Sequence, residues 1–187
     1  MKINFNNTFK AALLIIITGI VISGCKKDDE HGCGTPLMTF LADGHKFRYA
    51  HSGYLGFVDT VDITIKKYGT DGVFQFLQVG MGGHYDTLYL KECDGWLYRS
   101  SDSSMFAAEK IRKSITAVGE VWTSSTKYRV TAKNVSITVP AGTFICDEIK
   151  YDETSAYPGV LYFNNTAGEI KDHGGKGASR TLISKNF

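Results

Sequence analysis

The chain has little proline and little cysteine, three and four residues in 187. That excludes a collagen-like repeat and a disulfide-dense miniprotein. It has one long apolar run, at the N-terminus, and no second, which excludes a multi-span membrane protein. No repeat of 20–50 residues is visible, against a propeller or solenoid. Its five histidines show neither HxH nor HExxH spacing, its cysteines form no CxxC pair, and no GxSxG elbow occurs. The spacings that mark zinc hydrolases, thiol metal sites and serine hydrolases are therefore missing. Gly80-Met81-Gly82-Gly83 runs into a strand pattern instead of a helix, and Gly174-Gly175-Lys176-Gly177 lacks the phosphate-loop spacing, so both read as turns. No catalytic residue, metal site or cofactor site is read from the sequence. What is present, 43% hydrophobic residues with 20 glycines, fits an ordered globular domain.

Residues 1–10 carry Lys2 and Lys10 and no acid, and residues 11–22 read AALLIIITGIVI. A largely apolar run of 12 residues is too short to span a bilayer, which takes about 20, and the pattern is that of a secretory signal. Ile22-Ser23-Gly24-Cys25 resembles the lipobox of bacterial lipoproteins. That resemblance implies cleavage before Cys25, a lipid on its thiol, and a protein anchored to a membrane without spanning it. Removing residues 1–24 takes away two lysines and no acid, leaving 163 residues with 19 basic and 19 acidic groups. A neutral chain has no basic field for nucleic acid.

Residues 25–35 then form a lipidated Cys and a polar tether, and Lys27-Asp28-Asp29 within it resembles the export signal of surface lipoproteins in some Gram-negative phyla. The expected location is the outer membrane, exposed at the cell surface. Three cysteines remain after lipidation. Cys33 beside the tether and Cys93 at an apparent turn are the pair that can bridge, while Cys146 sits in an apolar strand pattern as a small buried hydrophobe.

Residues 36–187 read as a single antiparallel β domain. Val61, Ile63 and Ile65 alternate with polar neighbours, and Asp71-Gly72 and Asp94-Gly95 are hairpin signals between apolar strands. Residues 103–115 break the pattern and suggest one short helix capped by Ser104, with Glu109 and Lys113 as an i,i+4 pair. Tyr128, Val130 and Ala132 keep one parity and Val135, Ile137 and Val139 the other, so the backbone must carry a bulge or tight turn near Lys133-Asn134. Nine or ten short strands imply one all-β sheet, sandwich or partly open barrel.

Four segments in order, Gly119-Glu120-Val121-Trp122, Val139-Pro140-Ala141-Gly142-Thr143-Phe144 with Cys146, Tyr162-Phe163-Asn164 to Gly168-Glu169-Ile170-Lys171, and Arg180-Thr181-Leu182, resemble the C-terminal half of a group of Gram-negative lipoproteins. These are related in fold to the LolA/LolB-like carriers. The resemblance implies a curved antiparallel sheet, a half barrel whose concave side is closed by helices or loops.

Ten tyrosines, eleven phenylalanines and two tryptophans are a heavy aromatic load, most of it needed for the core. Tyr49, Tyr54, Tyr85, Tyr89 and Tyr157 are the candidates to line a concave face, where rings stack on sugars or apolar ligands. His45 and His51 are expected to share a region with Asp43. Two functions follow: a membrane-anchored, non-catalytic binding or structural module holding an apolar or sugar ligand, or a secreted cell-surface hydrolase with convergent acids in one cleft.

Overall fold

A computed structural model describes residues 33–53, 58–80, 83 and 85–187. The leader-like segment 1–24, Cys25, the tether up to residue 32 and Tyr54 lie outside the described residues.

Twelve strands alternate with short turns: β1 Lys46–Ser52, β2 Val58–Tyr68, β3 Val73–Val79, β4 Tyr85–Cys93, β5 Trp96–Ser100, β6 Glu109–Lys113, β7 Val121–Thr123, β8 Lys127–Val139, β9 Gly142–Tyr151, β10 Gly159–Asn164, β11 Gly168–His173 and β12 Ser179–Lys185. They form one antiparallel sheet in the order β6-β5-β4-β3-β2-β1-β12-β11-β10-β9-β8-β7. The protein is all-β. Turn chemistry fixes the hairpins. Asp94 and Gly95 both take positive φ, +52° and +73°, as a two-residue turn matching the strand twist requires. In the β8–β9 pair the register shifts between Val130 and Val135, with Asn134 at φ +58°. The parity change in the sequence is thus absorbed at the expected place.

The helix expected over 103–115 does not form. Residues 101–108 make turns, in which Ser104 bonds Asp102 and Met105 takes φ +56°, and Glu109–Lys113 is strand β6. The supposed i,i+4 partners bind elsewhere: Glu109 pairs with Arg99 and Lys113 with Glu120. Pairing with β5 gives this segment a ladder, which outweighs a weak helix signal. The only helical element among the described residues is a 3-10 turn, Gly175–Gly177.

The sheet curls until its two edges, β6 and β7, meet. No backbone ladder joins them. Side chains bridge the seam instead, in one antiparallel register: Trp122 Nε1 donates to the Ile111 carbonyl at 3.1 Å, Ser124 donates to Glu109 at 2.8 Å, and Lys113 pairs with Glu120. Behind the seam, Arg112 lies 3.7 Å from the Phe163 ring centre and 3.5 Å from the Asp147 carboxylate, only 4% exposed.

The core fills the inside of this barrel. Ile65, Val130, Ile149, Ile170 and Leu182 are fully buried there. One end is stoppered by the chain that precedes β1. Met38, Phe40 and Leu41 are buried, and the Phe40 ring meets Phe47, Phe76 and Phe163 edge-on. A Cβ on Gly168, itself at φ +75°, would come within 3.2 Å of the Phe40 ring, so glycine is needed there twice over. Cys33 is disulfide-bonded to Cys93, and the buried Glu92 carboxylate accepts the Leu37 and Met38 amides at 2.7–3.1 Å. The chain therefore enters at the end that holds the β2–β3, β4–β5 and β10–β11 turns. The opposite end is the mouth.

A polar mouth as the candidate functional site

In a strand every second side chain faces inward. Following that parity along each strand from the entry end to the mouth shows one recurring change. In β1 the inward series is Phe47, Tyr49, His51; in β2, Ile65, Ile63, Val61, Asp59; in β3, Phe74, Phe76, Gln78; in β12, Leu182, Arg180; in β11, Ile170, Asp172. Each ends on a polar residue at the mouth. Register sets Asp59, His51, Arg180 and Asp172 side by side across four neighbouring strands.

His51, Arg180 and Asp172 of this row line a cleft of about 260 Å³ together with Gln78, Ser179 and Val61. Arg180 reaches across it: Nη2 donates to Gln78 Oε1 at 3.2 Å, and the guanidinium lies over the Tyr49 ring at 4.8 Å. A bulge opposite Tyr162 and Phe163 turns Glu169 inward as well as Ile170. Glu169 Oε1 stands 3.8 Å from Arg180 Nε, too far for a hydrogen bond, and both atoms are buried with no hydrogen-bond partner among the described residues. Each side chain keeps a quarter of its surface, and Arg180 lines the cleft, while those two atoms are closed to solvent. Burial raises Glu169 from the ordinary carboxylate range to about 7; Arg180 opposes the shift and Asp172 adds to it. Burial also raises Asp172, against the pull of the Tyr151 hydroxyl and Arg180.

The far wall is aromatic. Trp122 stacks on Tyr128 at 5.4 Å, and Tyr128 leans on Tyr151 at 5.8 Å, across β7, β8 and β9. Tyr151 then lies over Gly159, and its hydroxyl donates to Asp172 Oδ1 at 2.8 Å. A Cβ on Gly159 would fall 2.0 Å from the Tyr151 ring, so only glycine admits this reach over β10.

The aromatics named from sequence are scattered. Tyr49 is buried, 4% exposed, under the Arg180 guanidinium, its hydroxyl donating to the Glu169 carbonyl at 3.0 Å, so it does not line the cleft. Tyr89 stands on the outer face beside Tyr68, because Leu88 and Leu90 take the inward parity. Tyr157 is half exposed in the β9–β10 loop at the mouth. Tyr85 opens β4. Of the two histidines expected to share a region with Asp43, His45 does and His51 does not. His45 stacks on Phe187 at the entry end, Asp43 accepts the Lys67 amide there, and His51 is at the mouth. Gln78, Glu169, Asp172, Arg180 and Tyr151 were missed. Their signal is a polar residue closing an apolar parity series, which means something only once the strand ends are known to share one mouth. Cys146 is free and buried, its thiol pushed up to about 11 by burial, which keeps it inert. Among the described residues no group of three or more His, Cys, Asp and Glu is placed to hold a metal ion.

No family model matches the chain, and no curated protein sequence does. Among solved structures the chain is similar to one described as "Crystal structure of MucB", with a TM-score of 0.45 and 13% identity. The match covers 80% of this chain and 55% of that one, so the chain spans little more than half the length of this neighbour.

Proposed function

We propose that the protein is an outer-membrane lipoprotein, anchored through Cys25 and displayed at the cell surface, whose barrel is a non-catalytic binding module for a neutral sugar. The observation that carries the ligand is the cleft at the mouth, where His51, Gln78, Asp172, Ser179 and Arg180 set donors and acceptors side by side above a filled core. A hydroxyl group donates and accepts at once and pairs with either kind. Tyr151 adjoins the cleft through its hydrogen bond to Asp172, and the acids and bases of the row offset one another, which disfavours selection of an anion. An acyl chain has no room, since Met38, Phe40 and Leu41 fill the apolar part of the barrel.

The ligand test is saturation-transfer NMR of the protein against neutral mono- and oligosaccharides. Binding is expected, and Gln78→Ala is expected to weaken it roughly tenfold by releasing Arg180. Long-chain lipid co-purifying in its place sinks the sugar reading. For the anchor, Cys25→Ser is expected to leave the protein unprocessed and out of the outer-membrane fraction. Normal trimming and fractionation of that variant rejects the lipidation.

A second reading has one observation behind it. Glu169, a carboxyl raised to about 7 by burial, stands near Asp172 of the cleft, which is the equipment of a general acid. A cell-surface hydrolase would release reducing sugar from a polymer and lose that activity in Glu169→Gln. Binding without product release decides for the module.

A further inference from the structure

We infer that the cleft at the mouth is controlled by a proton: when Glu169 loses its proton, Arg180 leaves Gln78 and turns inward to form a buried ion pair. The inference rests on the binding module proposed above and names how that site is regulated.

Arg180 faces two ways. Its Nη2 donates to Gln78 Oε1 at 3.2 Å in the cleft, and its Nε stands 3.8 Å from Glu169 Oε1 in the interior. The first contact is at the long end of the range for a hydrogen bond and the second is beyond it, so a movement of roughly 1 Å converts one arrangement into the other. Among the described residues neither Arg180 Nε nor Glu169 Oε1 has a hydrogen-bond partner, and both atoms are closed to solvent. The Tyr49 ring, 4.8 Å from the guanidinium, backs it on the way. With a neutral carboxyl Arg180 gains little by leaving Gln78. A carboxylate changes the balance, because a charge-assisted bond out of water is about twice as strong as a neutral one.

The surroundings leave the choice to the carboxyl. Asp172, also on β11, takes the Tyr151 hydroxyl of β9 at 2.8 Å, and Tyr49 of β1 gives its hydroxyl to the Glu169 carbonyl at 3.0 Å. Burial raises both tyrosines far above the physiological range, so they stay neutral. His51 of β1 and His173 of β11 act on Asp172, as does Arg180, and Tyr128 of β8 feels the Asp172 charge. β10 sets the uncharged Phe163 opposite Glu169. Burial lifts Glu169 to about 7, with Asp172 adding to the shift, so the couple stands at the edge of ionisation near neutral pH.

The test is NMR of the full chain in detergent micelles, isotope-labelled at arginine and glutamine. The Arg180 Nε–H and the Gln78 side-chain amide are followed from pH 5 to pH 8. Both signals are expected to move together with a midpoint near 7. In Glu169→Gln both are expected to stay at their low-pH positions. In Asp172→Asn the transition is expected to persist at a lower pH, because Asp172 adds to the Glu169 shift. A neutral oligosaccharide that binds at pH 5 is expected to bind roughly tenfold more weakly at pH 8, about the loss of one hydrogen bond, and Gln78→Ala is expected to flatten that dependence. Signals of Arg180 and Gln78 that do not move in the wild-type chain, or that move alike in Glu169→Gln, overturn the switch whether or not a sugar binds. Absence of saccharide binding at every pH, with both signals still moving together, strikes the binding module and upholds the switch.

Discussion

At the residue scale two groups govern the mouth. Gly159 exists for Tyr151. With any side chain there the ring must swing off β10 and release Asp172. Gly159→Ala is expected to lose about 1–2 kcal/mol in urea unfolding, for one hydrogen bond to a carboxyl and its packing, and to weaken the sugar binding proposed above. Glu169 makes stability depend on pH in the less usual direction for a carboxyl. Its folded pKa, about 7, lies above its ordinary value of 4.5. The folded state then holds a proton that the unfolded chain gives up between those values. The stabilisation is complete below pH 4.5 and is lost as pH rises through 7, and Asp172 is shifted in the same direction. Urea titrations at pH 5 and pH 8 are expected to differ by roughly 2 kcal/mol in favour of pH 5, after allowance for the side chain's partial exposure. Glu169→Gln is expected to remove most of that difference; an unchanged profile puts the titrating group elsewhere. The Arg112–Asp147 pair is the third case. Asp147→Asn leaves a guanidinium buried without a counter-charge and is expected to cost about 3–5 kcal/mol, whereas Arg112→Met with Asp147→Leu is expected to recover most of it.

At the element scale the chain before β1 matters as much as any strand. It carries no regular structure, yet Met38, Phe40 and Leu41 close the barrel, and the Cys33–Cys93 bond and Glu92 hold them there. The bond closes a loop of 60 residues, for which the chain-entropy account gives about 4 kcal/mol. Cys33→Ser/Cys93→Ser is expected to lower stability by that order. Near-ultraviolet circular dichroism will show whether the Phe40 cluster loosens first, and an unchanged midpoint in denaturant refutes the role given to the bond. The strands themselves were largely readable. Val73–Val79 and the Asp94-Gly95 hairpin stand where alternation and turn chemistry put them, and the Lys133-Asn134 irregularity follows from parity alone. Residues 103–115 were not readable. Ile111 and Arg112 face a ladder with β5 that local sequence does not announce, and the pattern EKIRK suits a helix as well as a strand.

At the scale of the whole molecule the barrel has a weak line. Ten strands have a ladder on both sides, while β6 and β7 have one each and meet through side chains. Hydrogen exchange is expected to be fastest among the strands at β6 and β7 and slowest at β1 and β12, in the middle of the sheet order. Uniform protection around the barrel contradicts a side-chain seam. The same closure sorts the inward positions into an apolar half beneath the stopper and a polar half at the mouth.

Alternation and turn residues are local, because a strand's two faces and a hairpin's φ values are set within a few bonds; they made the protein all-β and antiparallel from its sequence alone. The cleft is not local. His51, Gln78, Glu169, Asp172 and Arg180 lie up to 129 positions apart in the chain, and each reads by itself as an ordinary polar strand end. Only the curling of twelve strands into one barrel brings those ends to a single rim, and only the filling of the other half by residues 38–41 leaves the cleft at that rim.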